Sequence, residues 1–315
     1  FRSCAGGNIP KRYYGVAPKS SIAMVKMARE SKQENGKSTQ LMRGIKFLTD
    51  KSYELNKPLV INISFSTNDG AHDGQSLLEQ YISVVAKSQR VTIAIAAGNE
   101  GGRAHHAGGA LKGTQRIQFN VGAEERVIII ELYKNFLNDV TLKLTSPTGN
   151  TTNPLRLVTS VNTGVLLRDS YFIYNTGPTP FNINGEVMII ISGVGNRFIT
   201  NGVWTIEINT ITNYKGNYDL WLPIAEGLNA DTRFLNPDEN NTLGIPGTVA
   251  NVVTVGSYNY ANYTISTFSG RGNALLMPVK PDIVAPGENI ESTTPNGGFE
   301  PMSGTSMATP AVAGA

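Results

Sequence analysis

The sequence predicts an α/β fold, an open parallel sheet with helices on both faces, interrupted by an all-β insertion. Strand-like and helix-like runs alternate over the first hundred residues, helical spacing vanishes after about Gly113, and α/β-type apolar runs return from about Gly244. With 315 residues, the chain is long enough for roughly two domains of about 150 residues each.

Taken in order, residues 22–27 (IAMVKM) form a short apolar run, the first strand of the pattern. Leu41, Ile45, Leu48 and Leu55 then recur at helical spacing over residues 38–56, with Ser38 and Thr39 available as caps. Residues 58–65 (PLVINISF) make a nearly continuous β-branched run, as expected of a strand buried on both faces of a parallel sheet. Leu78, Tyr81, Ile82 and Val85 give residues 75–87 one apolar stripe, and residues 91–97 (VTIAIAA) are a third buried strand. The resulting βαβαβ order requires a parallel sheet covered by helices.

Residues 115–121, 126–132, 140–145, 164–167, 171–174, 187–191, 204–208 and 218–222 are short strands separated by Asn, Thr, Gly and Pro, the pattern of a sandwich or jelly roll. A strand at 249–255 and a helix from Ser306 return to α/β texture. The expected division is 1–112, 113–233 and 234–315, with the middle part inserted into one α/β domain. Within the insert, Tyr171, Tyr174 and Trp204 are candidate ligand-binding aromatics, while the strand context of Trp204 and Trp221 favours core positions.

Composition excludes several classes. With 27 basic and 24 acidic residues the net charge is +3, and charged residues make up 16% against a usual share of about 25%, so no nucleic-acid-binding tail is expected. A lone cysteine, Cys4, rules out an internal disulfide framework and a cysteine-rich zinc site, and is most simply a small packing residue. No apolar run approaches the roughly 20 residues of a membrane span. The chain opens at Phe1 without a start methionine and stops inside an Ala-rich stretch, and so reads as cut at both ends.

Chemistry concentrates in residues 303–315, SGTSMATPAVAGA. Gly304 allows a tight turn, Ser306 stands where a helix begins, and a hydroxyl there lies beside free backbone N–H groups and the positive end of the helix dipole. Those donors suit a developing oxyanion. The string Gly304-Thr305-Ser306-Met307-Ala308-Thr309-Pro310 resembles the nucleophile motif of the subtilisin-like serine proteases. In the same order along the chain, Lys280-Pro281-Asp282-Ile283-Val284-Ala285-Pro286-Gly287 resembles the family's Pro-Asp-x-x-Ala-Pro-Gly segment; Val253-Thr254-Val255-Gly256 and Phe268-Ser269-Gly270-Arg271-Gly272 also fall in family order.

The resemblance implies a subtilisin-like parallel sheet and roles for particular residues. Ser306 is the implied nucleophile, and Asn99, within Ala96-Ala97-Gly98-Asn99-Glu100-Gly101, matches the oxyanion-hole asparagine. Ala97 and Gly98 would form one wall of the pocket for the residue before the cut. Ser64, Phe65 and Ser66 resemble the strand that pairs with an extended peptide substrate by β-augmentation, except that Ser66 stands where the family has glycine. Gly15-Val16-Ala17-Pro18 resembles the segment after the catalytic-histidine helix, so Cys4-Ala5-Gly6-Gly7 would end that helix, and the histidine and aspartate of the triad are expected upstream of Phe1. Of the histidines present, His72 is expected in a loop on the ligand side of the sheet, and His105 and His106 in a solvated glycine-rich loop; none has a triad role. A serine without a general base is a weak nucleophile, so the chain alone is expected to be inactive.

A jelly-roll insertion is also found in Csp-type germination proteases of spore-forming bacteria, which this chain resembles around the insert boundaries. The resemblance implies a protein or peptide substrate, leaves room for a cleaved propeptide as partner, and points to a secreted, cell-surface or spore-associated location. No cofactor is needed for the chemistry. Structural calcium is common in the family, but no Asp-rich loop here names its ligands. Two other readings compete: a pseudoprotease with a regulatory or sensing role, and a carbohydrate or cell-wall binder acting through the insert.

Overall fold

The computed structural model describes residues 15–27, 38–158, 160–180, 182–212, 214–272, 279–294 and 297–315. Cys4, and with it the candidate helix end at residues 4–7, lies outside them. The chain divides into two units. One comprises the residues up to Ser66, His72–Gly101 and Leu243–Ala315; the other comprises Thr67–Ala71 and Gly102–Thr242.

In chain order, the α/β unit starts with α1 (Ser38–Glu54), β1 (Leu59–Ile63), α2 (Leu77–Ala86) and β2 (Val91–Ala96). The β unit follows with β3 (His106–Leu111), β4 (Thr114–Val121), β5 (Val127–Lys134), β6 (Val140–Thr145), β7 (Leu155–Arg156) and β8 (Ser160–Leu166). It continues with β9 (Asp169–Thr179), β10 (Asn182–Gly193), β11 (Gly202–Thr210), β12 (Gly216–Trp221) and β13 (Arg233–Phe234). The α/β unit then resumes with β14 (Val253–Asn259), β15 (Thr264–Ile265), β16 (Ile283–Pro286), the hairpin β17 (Ile290–Thr293) and β18 (Phe299–Met302), and α3 (Thr305–Gly314).

In the α/β unit, β1, β2, β14 and β16 lie side by side and parallel, with Ile61 opposite Ile93, Ala96 opposite Val255, and Gly256 opposite Val284. Three of the four residues expected on the α1 stripe are there: Ile45 is buried, and Leu41 and Leu48 pack with it against Ile61, Ile63, Ile93 and Ile95, whereas Leu55 falls past the helix end and is exposed. On α2, Leu78, Ile82 and Val85 enter the same cluster. This helix starts where a capping box puts it, because Ser76 Oγ accepts from the Glu79 N–H (3.3 Å) and Glu79 Oε2 accepts from the Ser76 N–H (3.1 Å). Helix α3 packs separately, through Ala308, Ala311 and Val312, on Val255 and Ala285.

The expected first strand at 22–27 forms no ladder among the described residues; Ile22 and Met24 are exposed. Strand β1 is the edge of its sheet, and Val60, more than half exposed, faces a groove of about 800 Å³ lined also by Ile22, Val25, Leu41 and Ile61.

The β unit has two antiparallel sheets, ordered β3-β12-β5-β10-β9-β8 and β13-β4-β11-β6-β7. Period-two alternation turns Ile128, Ile130 and Leu132 of β5 and Val187, Ile189 and Ile191 of β10 into one core with Leu142, Leu144, Ile206 and Ile208 of the second sheet. Phe119 sits at its centre, stacked on Trp204 (6.5 Å between ring centroids) and edge-on to Phe234 (6.3 Å). Trp204 is fully buried and donates its indole N–H to the Thr200 carbonyl (2.9 Å), so it is a core residue. The unit begins before the expected boundary at 113 because β3, from the glycine-rich HAGGAL, pairs along its length with β12.

Candidate active site

Strands β2, β14 and β16 point their C-terminal ends the same way, and the loops that leave β2 and β16 meet at the start of α3. Ligand sites of open α/β sheets gather at such strand ends. Gly304 donates its N–H to Gly287 O (2.8 Å) just past β16, and its φ of 155° leads into the helix without a side-chain cap. The second residue of α3 is Ser306, which is half-buried. Its N–H is one of the four that a helix start leaves without an intrahelical acceptor, and no other acceptor meets it among the described residues.

Both side-chain-mediated contacts of Ser306 among the described residues are with Ser64. Ser306 Oγ lies 3.4 Å from Ser64 O, and Ser64 Oγ donates to Ser306 O at 3.1 Å. The second bond has a local cause. Pro310 stands four residues after Ser306 and has no N–H, so the Ser306 carbonyl loses its helical donor and the Ser64 hydroxyl takes that place.

Asn99 follows β2 in a turn clamped from several sides: Ala97 O accepts from the Gly244 N–H (2.9 Å), Gly98 O from the Gly270 N–H (2.9 Å), and Gly101 donates to Phe268 O (3.0 Å). Gly98 has φ +91°, and a Cβ there would stand 2.9 Å from Gly244 N, so only glycine fits. Thr305 then orients the asparagine. Its N–H (2.9 Å) and its hydroxyl (3.0 Å) both donate to Asn99 Oδ1, which leaves the Asn99 NH₂ group as the available donor beside the free N–H of Ser306. Sequence reasoning missed Thr305, although its place next to Ser306 in a family motif was the available signal.

Structure thus brings Ser64, Asn99 and Ser306 together, with Ala97 and Gly98 leading into the asparagine turn and Phe65 and Ser66 continuing from β1. The histidines stand elsewhere. His72 is buried, with φ +52° and Nδ1 2.6 Å from Leu243 O. His105 and His106 are not in a solvated loop: both are buried, His105 Nε2 facing Thr232 O (3.2 Å). His106 opens β3 with Nδ1 facing Asp238 O (3.1 Å) and Nε2 facing Asp219 Oδ1 (3.0 Å), and its ring stacks on Trp221 (5.0 Å). Their acceptors come from more than a hundred residues downstream, which spacing alone could not reveal. Among the described residues no group of three or more His, Cys, Asp or Glu is arranged to hold a metal ion, and no helix is long and apolar enough to cross a membrane.

Among solved structures, the Clostridium perfringens CspB protease matches with a TM-score of 0.92 and 51% sequence identity, over 99% of this chain and 65% of that one. The intracellular serine protease of Paenibacillus polymyxa is 46% identical over 78 residues, 25% of this chain and 22% of that protein. Subtilisin of Bacillus pumilus is 44% identical over 75 residues, 24% of this chain and 25% of that protein. The chain therefore spans just under two thirds of the CspB chain, and its matches span about a quarter of the other two relatives. The sequence model described as the subtilase family matches residues 3–146 and 175–315, and the chain belongs to that family.

Proposed function

We propose that this chain is the nucleophile-bearing part of a serine endopeptidase. Ser306 attacks the scissile carbonyl, the Ser306 N–H and the Asn99 NH₂ group stabilise the resulting oxyanion, and the stretch Ser64–Phe65–Ser66 pairs with the peptide. The observation that carries this reading is the pair of unengaged donors beside Ser306 Oγ, one of them oriented by Thr305. On the family resemblance, the general base and the carboxylate that orients it are supplied from upstream of Phe1 in the parent protein; among the described residues the Ser306 hydroxyl has a hydrogen bond only to Ser64 O. Proton removal by a histidine is then the missing step. Helices α1 and α2 on one side and α3 on the other are read as covering both faces of the sheet, and the β unit as a jelly roll. No cofactor enters the chemistry; structural calcium has no assigned ligands. A secreted, cell-surface or spore-associated location and a cleaved propeptide belong to the same proposal.

A fluorophosphonate probe tests it. The full-length parent is expected to be labelled at Ser306, with labelling abolished by Ser306→Ala, and the present chain to stay at background. A folded parent that takes no label refutes the protease reading and supports a pseudoprotease with a regulatory role. For the insert, Tyr174, more than a third exposed on β9, favours a second reading as a glycan-binding surface; calorimetry of the parent against cell-wall glycans, with Tyr174→Ala as control, decides it.

A further inference from the structure

The Ser306 carbonyl lacks its helical partner in the first turn of α3. An α-helical carbonyl accepts from the N–H four residues further on, and position 310 is a proline, which has no N–H and whose ring crowds the carbonyl four residues back. Left unheld, the peptide plane between Ser306 and Met307 is free to tilt. Such a tilt turns ψ of Ser306 and, with it, the directions in which the Ser306 N–H and Cβ point relative to the helix.

Two side chains at the end of β1 hold that carbonyl. Ser64 Oγ donates to Ser306 O at 3.1 Å, and the same oxygen accepts from Asn62 Nδ2 at 3.1 Å. A hydroxyl has one proton and two lone pairs, so the bond from Asn62 occupies an acceptor site and leaves the proton directed at Ser306. Asn62 and Ser64 stand two residues apart, the spacing that puts both on one face of an extended chain. The Asn62 side chain makes no other hydrogen bond among the described residues. Ser64 O lies 3.4 Å from Ser306 Oγ, so the end of β1 meets both the main chain and the side chain of Ser306. Head-to-tail hydrogen bonds of this kind polarise one another.

We infer that Asn62 and Ser64 are positioning residues for the nucleophile: their head-to-tail donors replace the helical N–H that Pro310 lacks and fix the Ser306 hydroxyl and N–H in the geometry of attack. This rests on the protease reading above. It is separate from main-chain pairing of residues 64–66 with a peptide, because it uses the Asn62 and Ser64 side chains and acts on α3. Misplacement of a reacting group lowers the rate of the chemical step rather than substrate affinity. One neutral hydrogen bond of ordinary strength corresponds to about threefold to tenfold.

The test uses the full-length parent, with steady-state hydrolysis of a fluorogenic peptide and fluorophosphonate labelling of each variant. Ser64→Ala is expected to lower kcat about threefold to tenfold with KM within about twofold, and Ser64→Thr, which keeps the hydroxyl, to stay near wild type. Asn62→Ala is expected to lower kcat in the same direction, and to add nothing once Ser64 is alanine. Pro310→Ala gives the Ser306 carbonyl an N–H again, so in that background Ser64→Ala is expected to cost less than about twofold. A purely structural role for Ser64 predicts the same loss in both backgrounds, and that result overturns the inference. So does a Ser64→Ala kcat within about twofold of wild type when the parent labels at Ser306; the protease reading stands in either case. Should Pro310→Ala fail to fold, equal kcat losses for Ser64→Thr and Ser64→Ala overturn the inference. A folded parent that takes no label removes the protease reading and the inference together.

Discussion

Glu131 offers a quantitative test of the β unit. It lies on β5, 9% exposed, and burial pushes its carboxyl up from 4.5 to about 7, with the nearby carboxylates of Asp69 and Glu186 adding to the shift. The Gly70 N–H (2.7 Å) and the Tyr133 hydroxyl (3.4 Å), both on Oε2, oppose it and are outweighed. Below about pH 4.5 the group is protonated in the folded and unfolded chain alike. Between there and about pH 7 the folded chain keeps a proton that the unfolded chain has released, so stability falls as pH rises. Above about 7 the loss is complete. At about 1.36 kcal/mol for each pH unit, the total is about 3 kcal/mol.

Glu131→Gln retains an acceptor for the Gly70 N–H and removes the titration. Urea unfolding from pH 4.5 to 8, followed by tryptophan fluorescence, is the measurement. Both tryptophans of the chain, Trp204 and Trp221, lie in the β unit, so the signal reports that unit; Trp221 packs edge-on against Tyr133 at 6.0 Å. Relative to wild type, the variant is expected to gain about 3 kcal/mol across this range, with a flatter pH profile. A stability difference that stays constant within about 0.5 kcal/mol from pH 4.5 to 8 refutes the assignment of the shift to Glu131.

Two further outcomes follow from the site. Asn99→Ala in the full-length parent should lower kcat by about 10²–10³-fold with little change in KM, checked by steady-state peptide hydrolysis; a KM effect of that size with kcat intact would remove Asn99 from the oxyanion role. Gly98→Ala forces a side chain into φ +91° and against Gly244 N at 2.9 Å, and should destabilise the fold by at least about 1–3 kcal/mol, read as a lower midpoint in urea unfolding by circular dichroism.

Much of the architecture was readable from periodicity. The α2 stripe, the α1 stripe up to Leu48 and the β2 run sit where 3.6-residue and continuous apolar patterns put them, because each pattern reports which face of one local segment is buried; β1 is a strand where its run predicts one but is buried on one face only, Val60 and Asn62 being exposed. Residues 22–27 have the composition of a strand and form no ladder among the described residues, since pairing is decided by a partner strand and not by the local run. Strand β3 is the converse: His106-Ala107-Gly108-Gly109-Ala110-Leu111 looks like a loop, and β12 makes it a strand. At Gly108 a Cβ would lie 2.8 Å from Asp219 Oδ1, which accounts for a glycine in that strand.

By itself the sequence determined the family, the order of elements and the candidate nucleophile and oxyanion residues, because those reside in short strings whose chemistry depends on neighbours a few positions away. Tertiary structure alone decided the rest. Burial of His105 and His106, the tie from Thr305 to Asn99 across 206 positions, the bond from the Gly70 N–H to the Glu131 carboxyl and the close approach of Ser66 to Gly244 all join residues far apart in the chain. Each depends on distances of about 2.5–3.5 Å, the range in which hydrogen bonds and steric contacts act, and only the folded chain sets distances that short between such remote positions.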